Sequence, residues 1–177
     1  MMYETDFWQI IDETRDRAEG DPVDHADLLV DRLVQCEPDD VVDFARLFDA
    51  RFRRAYRWDL WGAAHLLLGA ADDDAFEWFR CWLIGQGREV FEGALADPDE
   101  LAELVPDFDE EQDGDAEELG YAADEAYETL TGGPLPDLGL GAEPADPEGT
   151  AFDFENPTLM AERFPRLWDR YGGDANA

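Results

Sequence analysis

The chain contains no lysine, only two cysteines and two histidines, and no long uninterrupted apolar run. Each shortage removes a class of explanation. Cys36 and Cys81 are too few and too far apart for a disulfide framework or a cysteine-ligated metal cluster, and they suit a reducing compartment. No stretch approaches the roughly 20 apolar residues that a membrane span requires. The N-terminus, MMYETDFWQIIDE, lacks a basic leader and a long hydrophobic segment, so a soluble cytoplasmic protein is the expectation. Phosphate loops, zinc-ligand spacings, dinucleotide fingerprints and nucleophile elbows are missing too, and no catalytic residue, metal or cofactor is assigned.

Negative charge is abundant. Against 46 carboxylates stand 13 cations, all arginine, for a formal net charge of −33. That sign opposes sequence-independent binding to nucleic acid backbones and to anionic membranes. Two origins compete: a GC-rich or salt-adapted coding bias that coats the surface with carboxylates, and a surface made to capture a basic protein or to imitate DNA. A chain of 177 residues suits one domain, which can bury roughly 70% of the surface its unfolded form exposes.

The least polar stretch is Tyr56 to Glu89, YRWDLWGAAHLLLGAADDDAFEWFRCWLIGQGRE, with four of the six tryptophans. Read at 100° per residue, Ala75, Phe76, Trp78, Phe79, Trp82 and Leu83 cover about half a helix circumference, opposite Asp73, Glu77 and Arg80. Ahead of them, Asp59 to Gly69 is apolar on nearly every side, and Gly62, Ala63 and Ala64 permit close helix approach. A central helix pair is predicted, the second opened by Asp72-Asp73-Asp74 and ended by Gly85 and Gly87.

Around this pair the pattern predicts further helices. The first is capped by Thr5 or Asp6 and buries Phe7, Ile10, Ile11 and Thr14. The second runs from about Asp24 to Gln35, and His25 is read as sitting in a turn at its start. In the third, about Pro38 to Tyr56, Val41, Phe44, Ala45, Phe48, Phe52, Ala55 and Tyr56 form one apolar face, with Asp43–Arg46 and Asp49–Arg53 spaced for ion pairs opposite. Short helices follow at Arg88 to Ala96 and Pro98 to Val105, then an acidic loop to Asp115 and a helix from Ala116 to Thr131. Pro134 to Thr150, rich in proline and glycine and free of basic residues, is expected to be poorly ordered or draped on the surface. The closing element starts near Asn156-Pro157 and is interrupted at Pro165. No strand-like alternation persists, so the class is all-α.

Three features carry candidate chemistry. Asp109 to Gly120 approaches a calcium-binding loop but places Gly120 where a bidentate glutamate is needed, which favours an ordinary acidic loop. His65 has no nucleophile or acid partner at a recognisable spacing and reads as a partly buried core histidine. The third is a polar and aromatic set, Trp58, Asp59, Trp61, Asp73, Glu77, Arg80, Arg88 and Glu89. Arginine beside aromatic faces and carboxylates is the material of a ligand pocket or a protein-binding hot spot, and equally of a structural ion-pair network.

The string YRWDLWGAAHLLLGAADDDAFEWFRCWLIGQGREVFEGALADPDEL, with Phe7-Trp8 and the later EAYETLTG, resembles the domain-of-unknown-function 4240 family over about Phe7 to Gly133. Members usually carry Gly-Cys or Gly-Gly-Cys ahead of the Asp pair, where this chain has Gly69-Ala70-Ala71, so no thiol acts at that place here. The resemblance implies a small bacterial intracellular domain and no assigned activity. Taken together, the expectation is a single compact multi-helix domain: a helical body over 1–133, a Pro/Gly-rich acidic linker over 134–155, and a helical segment over 156–177 docking back on the body. The preferred function is a non-enzymatic acidic binding module, neutralising a basic protein partner. The alternative is a small enzyme or ligand sensor with an Arg80–Asp59–tryptophan pocket.

Overall fold

The computed structural model describes residues 1–172 and is all-α, with no strand among those residues and a single isolated bridge between Arg57 and Glu148. Helix α1 (Glu4–Ala18) and α2 (Pro22–Leu33) form a hairpin. They are followed by α3 (Pro38–Arg54), α4 (Trp58–Leu68), α5 (Asp73–Gly85) and α6 (Arg88–Ala96). A 3-10 turn (Pro98–Glu100), α7 (Leu101–Leu104), the one-turn α8 (Glu110–Asp113), a second 3-10 turn (Glu117–Tyr121) and α9 (Ala122–Thr131) complete the body. After an irregular strap over 134–156 come α10 (Pro157–Arg163), α11 (Pro165–Leu167) and a π-helical turn (Trp168–Gly172). Of the C-terminal segment expected over 156–177, residues 173–177 lie outside the described residues.

Helix starts follow the capping chemistry, sometimes earlier than the apolar pattern suggests. Helix α1 opens at Tyr3, because the Asp6 carboxylate reaches back to accept from the Tyr3 N–H at 2.9 Å. Asp6 is therefore a residue of the first turn and not the cap. Asp21 caps α2 by accepting from the amides of Val23 and Asp24, and Pro22 occupies the first turn, where its missing N–H costs nothing. The earlier start brings His25 into the helix and buries it, correcting its placement in a turn. Asp72 caps α5 by accepting from the Ala75 amide at 2.8 Å.

Helix α5 is the inner element. Phe76, Phe79, Cys81, Trp82, Leu83 and Ile84 are all buried, and it packs against α1, α2, α3, α4 and α6. Trp82 lies in the core while Trp58, Trp61 and Trp78 are half-buried at its edge. The core reaches well beyond the central pair: Phe7, Trp8 and Ile11 of α1 meet Phe44 of α3 and Phe91 of α6, with aromatic centroids 4.8 to 5.8 Å apart. Arg54 braces α3 to α6 through a bidentate pair with Glu92 at 2.6 and 2.7 Å.

The predicted pairs on the outer face of α3 form, Arg46 with Asp43 and Arg53 with Asp49, each at 3.0 Å. The same two guanidinium groups also grip the strap. Arg46 donates to the Leu138 carbonyl at 2.9 Å, and Arg53 donates to the carbonyls of Leu140, Gly141 and Ala142 at 3.0 to 3.2 Å. Farther on, Glu148 exchanges backbone bonds with Tyr56 and Trp58 at 2.8 and 3.0 Å. A segment without helix or strand thus has its carbonyls satisfied by side chains of the body.

Gly62 fixes how closely the strap can sit on α4. A Cβ there would lie 2.7 Å from the Phe152 ring and 3.0 Å from the Phe164 ring. Gly62→Val is expected to destabilise by about 1–3 kcal/mol through overpacking, read as a lower urea midpoint, and to speed proteolysis of the strap. A variant as stable as the parent would show that the Phe152 ring moves aside freely.

Candidate functional site

On α5, Asp73, Glu77 and Arg80 recur at helical spacing and share one face. Asp73 and Glu77 are exposed, whereas Arg80 retains only 5% of its accessible surface. Its guanidinium carbon lies 3.9 Å from the ring centroid of Phe52, 4.7 Å from that of Tyr56 and 4.9 Å from that of Phe76. One nitrogen, Nη1, donates to the Phe52 carbonyl at 3.1 Å, and the buried Nε has no partner. No carboxylate lies within 4.0 Å of this guanidinium among the described residues. Burial pushes the Arg80 guanidinium below its ordinary pKa, partly offset by the carboxylates of Glu77 and Glu143. An unpaired cation this deep is costly, and rings on its faces compensate only in part.

Arg80 lies in a cleft of about 310 Å³. Phe52, Tyr56, Trp61 and Phe76 wall it, Asp73 and Glu77 stand at its mouth on α5, and Glu143 and Pro144 of the strap close the remaining side with Arg53. Trp58, Trp61 and Phe76 form a near-parallel column, with centroids 5.3 and 4.8 Å apart and interplanar angles of 9° and 14°. Trp61 is fixed because its indole N–H donates to the Ala71 carbonyl at 2.9 Å. The rotamer of this wall is therefore set before any ligand arrives.

Beside the cleft is a second crevice of about 490 Å³ between α3, α5, the turn at 117–121 and the strap. Its floor is apolar, with Phe48, Leu119 and Leu138, and its rim carries Asp49, Glu117 and Asp124; Phe52, Glu77 and Glu143 line both spaces. Cys81 also lines it, but burial pushes that thiol up to about 12, so it is neither thiolate nor nucleophile near neutral pH.

Of the eight residues singled out in the sequence, the fold gathers Trp61, Asp73, Glu77 and Arg80 around the cleft. Trp58 stacks behind Trp61. Asp59 is turned to another task, accepting from Arg57 at 3.1 and 3.3 Å and from the Leu60 amide at 2.7 Å at the start of α4. Arg88 and Glu89 lie beyond the C-terminal end of α5, where exposed Arg88 approaches Glu4 of α1 at 3.5 Å. Arg80, Asp59 and Arg88 therefore do not converge. Phe52 and Tyr56 join the cleft from the apolar face of α3 and the turn that follows it. Glu143 and Pro144 belong to a low-complexity segment with no signal of its own.

The other candidate features engage elsewhere. His65 faces Glu155 of the strap at 3.4 Å and packs on Phe154. In the acidic loop, Asp109 accepts from the Glu111 amide at 3.1 Å and Asp113 from the Asp109 amide at 2.9 Å, so these carboxylates serve their own backbone. No group of three or more His, Cys, Asp or Glu placed to hold a metal ion occurs among the described residues. No helix among them is long and apolar enough to cross a membrane.

Comparison with curated proteins and with solved structures gives no match. One family model does match, described as a protein of unknown function (DUF4240), over residues 2–129, which include the whole cleft except the strap residues Glu143 and Pro144. The chain belongs to the DUF4240 family of proteins of unknown function.

Proposed function

We propose that the chain is a small-molecule-binding domain in which the Arg80 guanidinium receives a carboxylate of the ligand and the Tyr56–Trp61–Phe76 walls enclose its body. One observation carries the reading: a guanidinium 5% exposed, with Nε unpartnered and no carboxylate within 4.0 Å among the described residues, lining a cleft in a protein with 46 carboxylates. Structural arginines at such depth are normally paired. A cleft near 300 Å³, with fixed aromatic walls and charged groups converging on it, is at the small end of the range of small-ligand sites. The groups lining the cleft offer binding and orientation.

Arg80→Met separates this reading from a structural one. Methionine nearly keeps the volume and removes the buried charge, so the ligand-free variant is expected to match or exceed the parent in Tm by a few degrees. Binding of aromatic and aliphatic carboxylates, followed by calorimetry and thermal shift, is expected to weaken at least tenfold, since a hydrogen bond to a charged group contributes about 1.5–3 kcal/mol. If the variant loses stability and the parent binds no carboxylate at millimolar concentration, Arg80 is a structural residue and the reading fails.

A second reading, an acidic module that captures a basic protein, is favoured by the net charge of −33. The two separate on ionic strength. A Coulombic partner leaves at high salt, whereas a ligand enclosed in the cleft stays.

A further inference from the structure

The charges around the cleft are arranged in two levels of opposite sign. At depth is the Arg80 guanidinium, and at the mouth are the carboxylates of Asp73, Glu77 and Glu143, each more than 4.0 Å from it. Glu77 and Glu143 are exposed side chains free to turn toward a cation, yet neither pairs with the Arg80 guanidinium, which is 5% exposed, so the separation has a cause. The rings of Phe52, Tyr56 and Phe76 enclose the cation, with Phe52 only 3.9 Å away. Glu143 is carried on a strap whose preceding carbonyls are held by Arg53. The cleft therefore keeps a positive and a negative subsite apart, with space between them.

Resting on the reading of the cleft given above, we infer that its ligand is a zwitterion of the α-amino acid class with an apolar side chain. The carboxylate lies on Arg80, the ammonium faces Glu77 and Glu143, and the side chain passes over Phe52 into the adjoining crevice. An α-amino acid carries its two charges on a single carbon, a compact dipole suited to a gap between fixed opposite charges. Charge selects the same class. A simple anion would have to enter a protein of net charge −33 past three carboxylates, and a simple cation held at the mouth would leave the Arg80 guanidinium unpaired. A zwitterion has no net charge for the protein's overall field to repel, and it satisfies both levels. The position of the apolar part follows from topology, because Phe52, Glu77 and Glu143 line both the cleft and the crevice. The ammonium subsite is thus at the doorway to an apolar space walled by Phe48 and Leu138.

The test uses the full chain and matched probes: L-phenylalanine and L-leucine, the same molecules without the amino group (3-phenylpropanoate and 4-methylpentanoate), and without the carboxyl group (2-phenylethylamine and 3-methylbutylamine). Calorimetry is expected to give at least tenfold tighter binding for one of the amino acids than for either of its counterparts. The double variant Glu77→Gln/Glu143→Gln, both sites exposed and outside the core, should reduce the amino acid to the level of the deaminated acid and leave that acid's own affinity unchanged or improved. Should the deaminated acids bind as tightly as the amino acids, and only when Arg80 is present, the zwitterion inference is wrong while the carboxylate-binding reading stands. Amine binding that equals amino acid binding and survives Arg80→Met overturns both, and so does the absence of binding by every probe.

Discussion

Asp99→Ala is expected to cost on the order of 2–4 kcal/mol of stability and to release the C-terminal segment from the body. Asp99 lies in the 3-10 turn after α6, is 4% exposed, and works as a cap for a helix far away in sequence. One oxygen accepts from the Leu167 amide at 2.9 Å; the other accepts from the Arg166 amide at 3.2 Å and from the Arg166 Nε at 3.0 Å. The two amides belong to the first turn of α11, which begins at Pro165 and has no preceding turn to satisfy them. Removing the carboxylate leaves a buried N–H at Leu167 without an acceptor, worth about 1–3 kcal/mol, and adds the loss of a cap worth about 0.5–2 kcal/mol. Asp97 and Glu103 still hold the Arg166 guanidinium at 3.0 and 3.2 Å, so the variant loses registration of the helix start before it loses attraction. Asp99→Asn keeps one acceptor and is expected to fall between the two. Urea unfolding followed by tryptophan fluorescence, with limited proteolysis after residue 156, measures both effects. A change under 0.5 kcal/mol with unchanged proteolysis would mean that burial of Met160, Phe164 and Leu167 holds the segment by itself.

That latch bears on how the chain is divided. The family match ends at residue 129, yet Asp97, Asp99 and Glu103 within the matched part hold Arg166 outside it, and Gly62 receives Phe152 and Phe164. The strap and the C-terminal helices complete surfaces that the matched part leaves open, including one side of the cleft. A protein ending near residue 133 would expose Gly62, the Trp58 and Trp61 column and the Arg80 cleft together. For this reason any truncation test of ligand binding would mix loss of the cleft wall with loss of stability.

Helical periodicity made the body legible. The face of α3 from Val41 to Phe52 and the burial of α5 follow from apolar spacing alone, because a helix facing several neighbours must be apolar over a wide arc. Helix starts were less legible, since Tyr3 and Asp21 cap through contacts that depend on backbone conformation and not on spacing. In the site, Asp73, Glu77 and Arg80 could be found together because i, i+4 and i+7 positions share a face. Asp59 and Arg88 are near them in sequence alone, and the turns at Tyr56-Arg57 and Gln86-Gly87 carry them elsewhere. The contribution of Glu143 and Pro144 was invisible, because a strap without periodicity is positioned by tertiary contacts: the arginines that bind its carbonyls and the backbone bonds of Glu148 to Tyr56 and Trp58. Spacing pairs Arg46 and Arg53 with Asp43 and Asp49, whereas their second role depends on the tertiary fold.

Lowering the pH from 7 to 4.5 is expected to destabilise the parent by about 2–3 kcal/mol more than a His25→Gln variant. His25 is 3% exposed, and its Nε2 lies 2.9 Å from the Thr14 hydroxyl. That hydroxyl spends its proton on the Ile10 carbonyl at 2.8 Å, which leaves it as an acceptor for a neutral imidazole N–H. Adding a second proton would place a charge in the core, and burial, reinforced by the Arg15 cation, holds the His25 pKa down at about 4 against an ordinary 6.5. With the folded value below the unfolded one, the unfolded chain binds more protons between pH 6.5 and 4. The stability from a neutral His25 is therefore complete above pH 6.5 and is lost as pH falls through that window, to a limit of about 3 kcal/mol. Acidification also neutralises carboxylates and relieves the self-repulsion of a chain with net charge −33, which acts in the opposite direction and hides the histidine in the parent alone. Glutamine keeps a side-chain N–H for Thr14 and cannot titrate, so the difference between the two stability–pH curves isolates the imidazole while the carboxylates cancel. Parallel curves would show that protonated His25 is accommodated in the folded protein, which requires an opening between α1 and α2 wide enough to admit water.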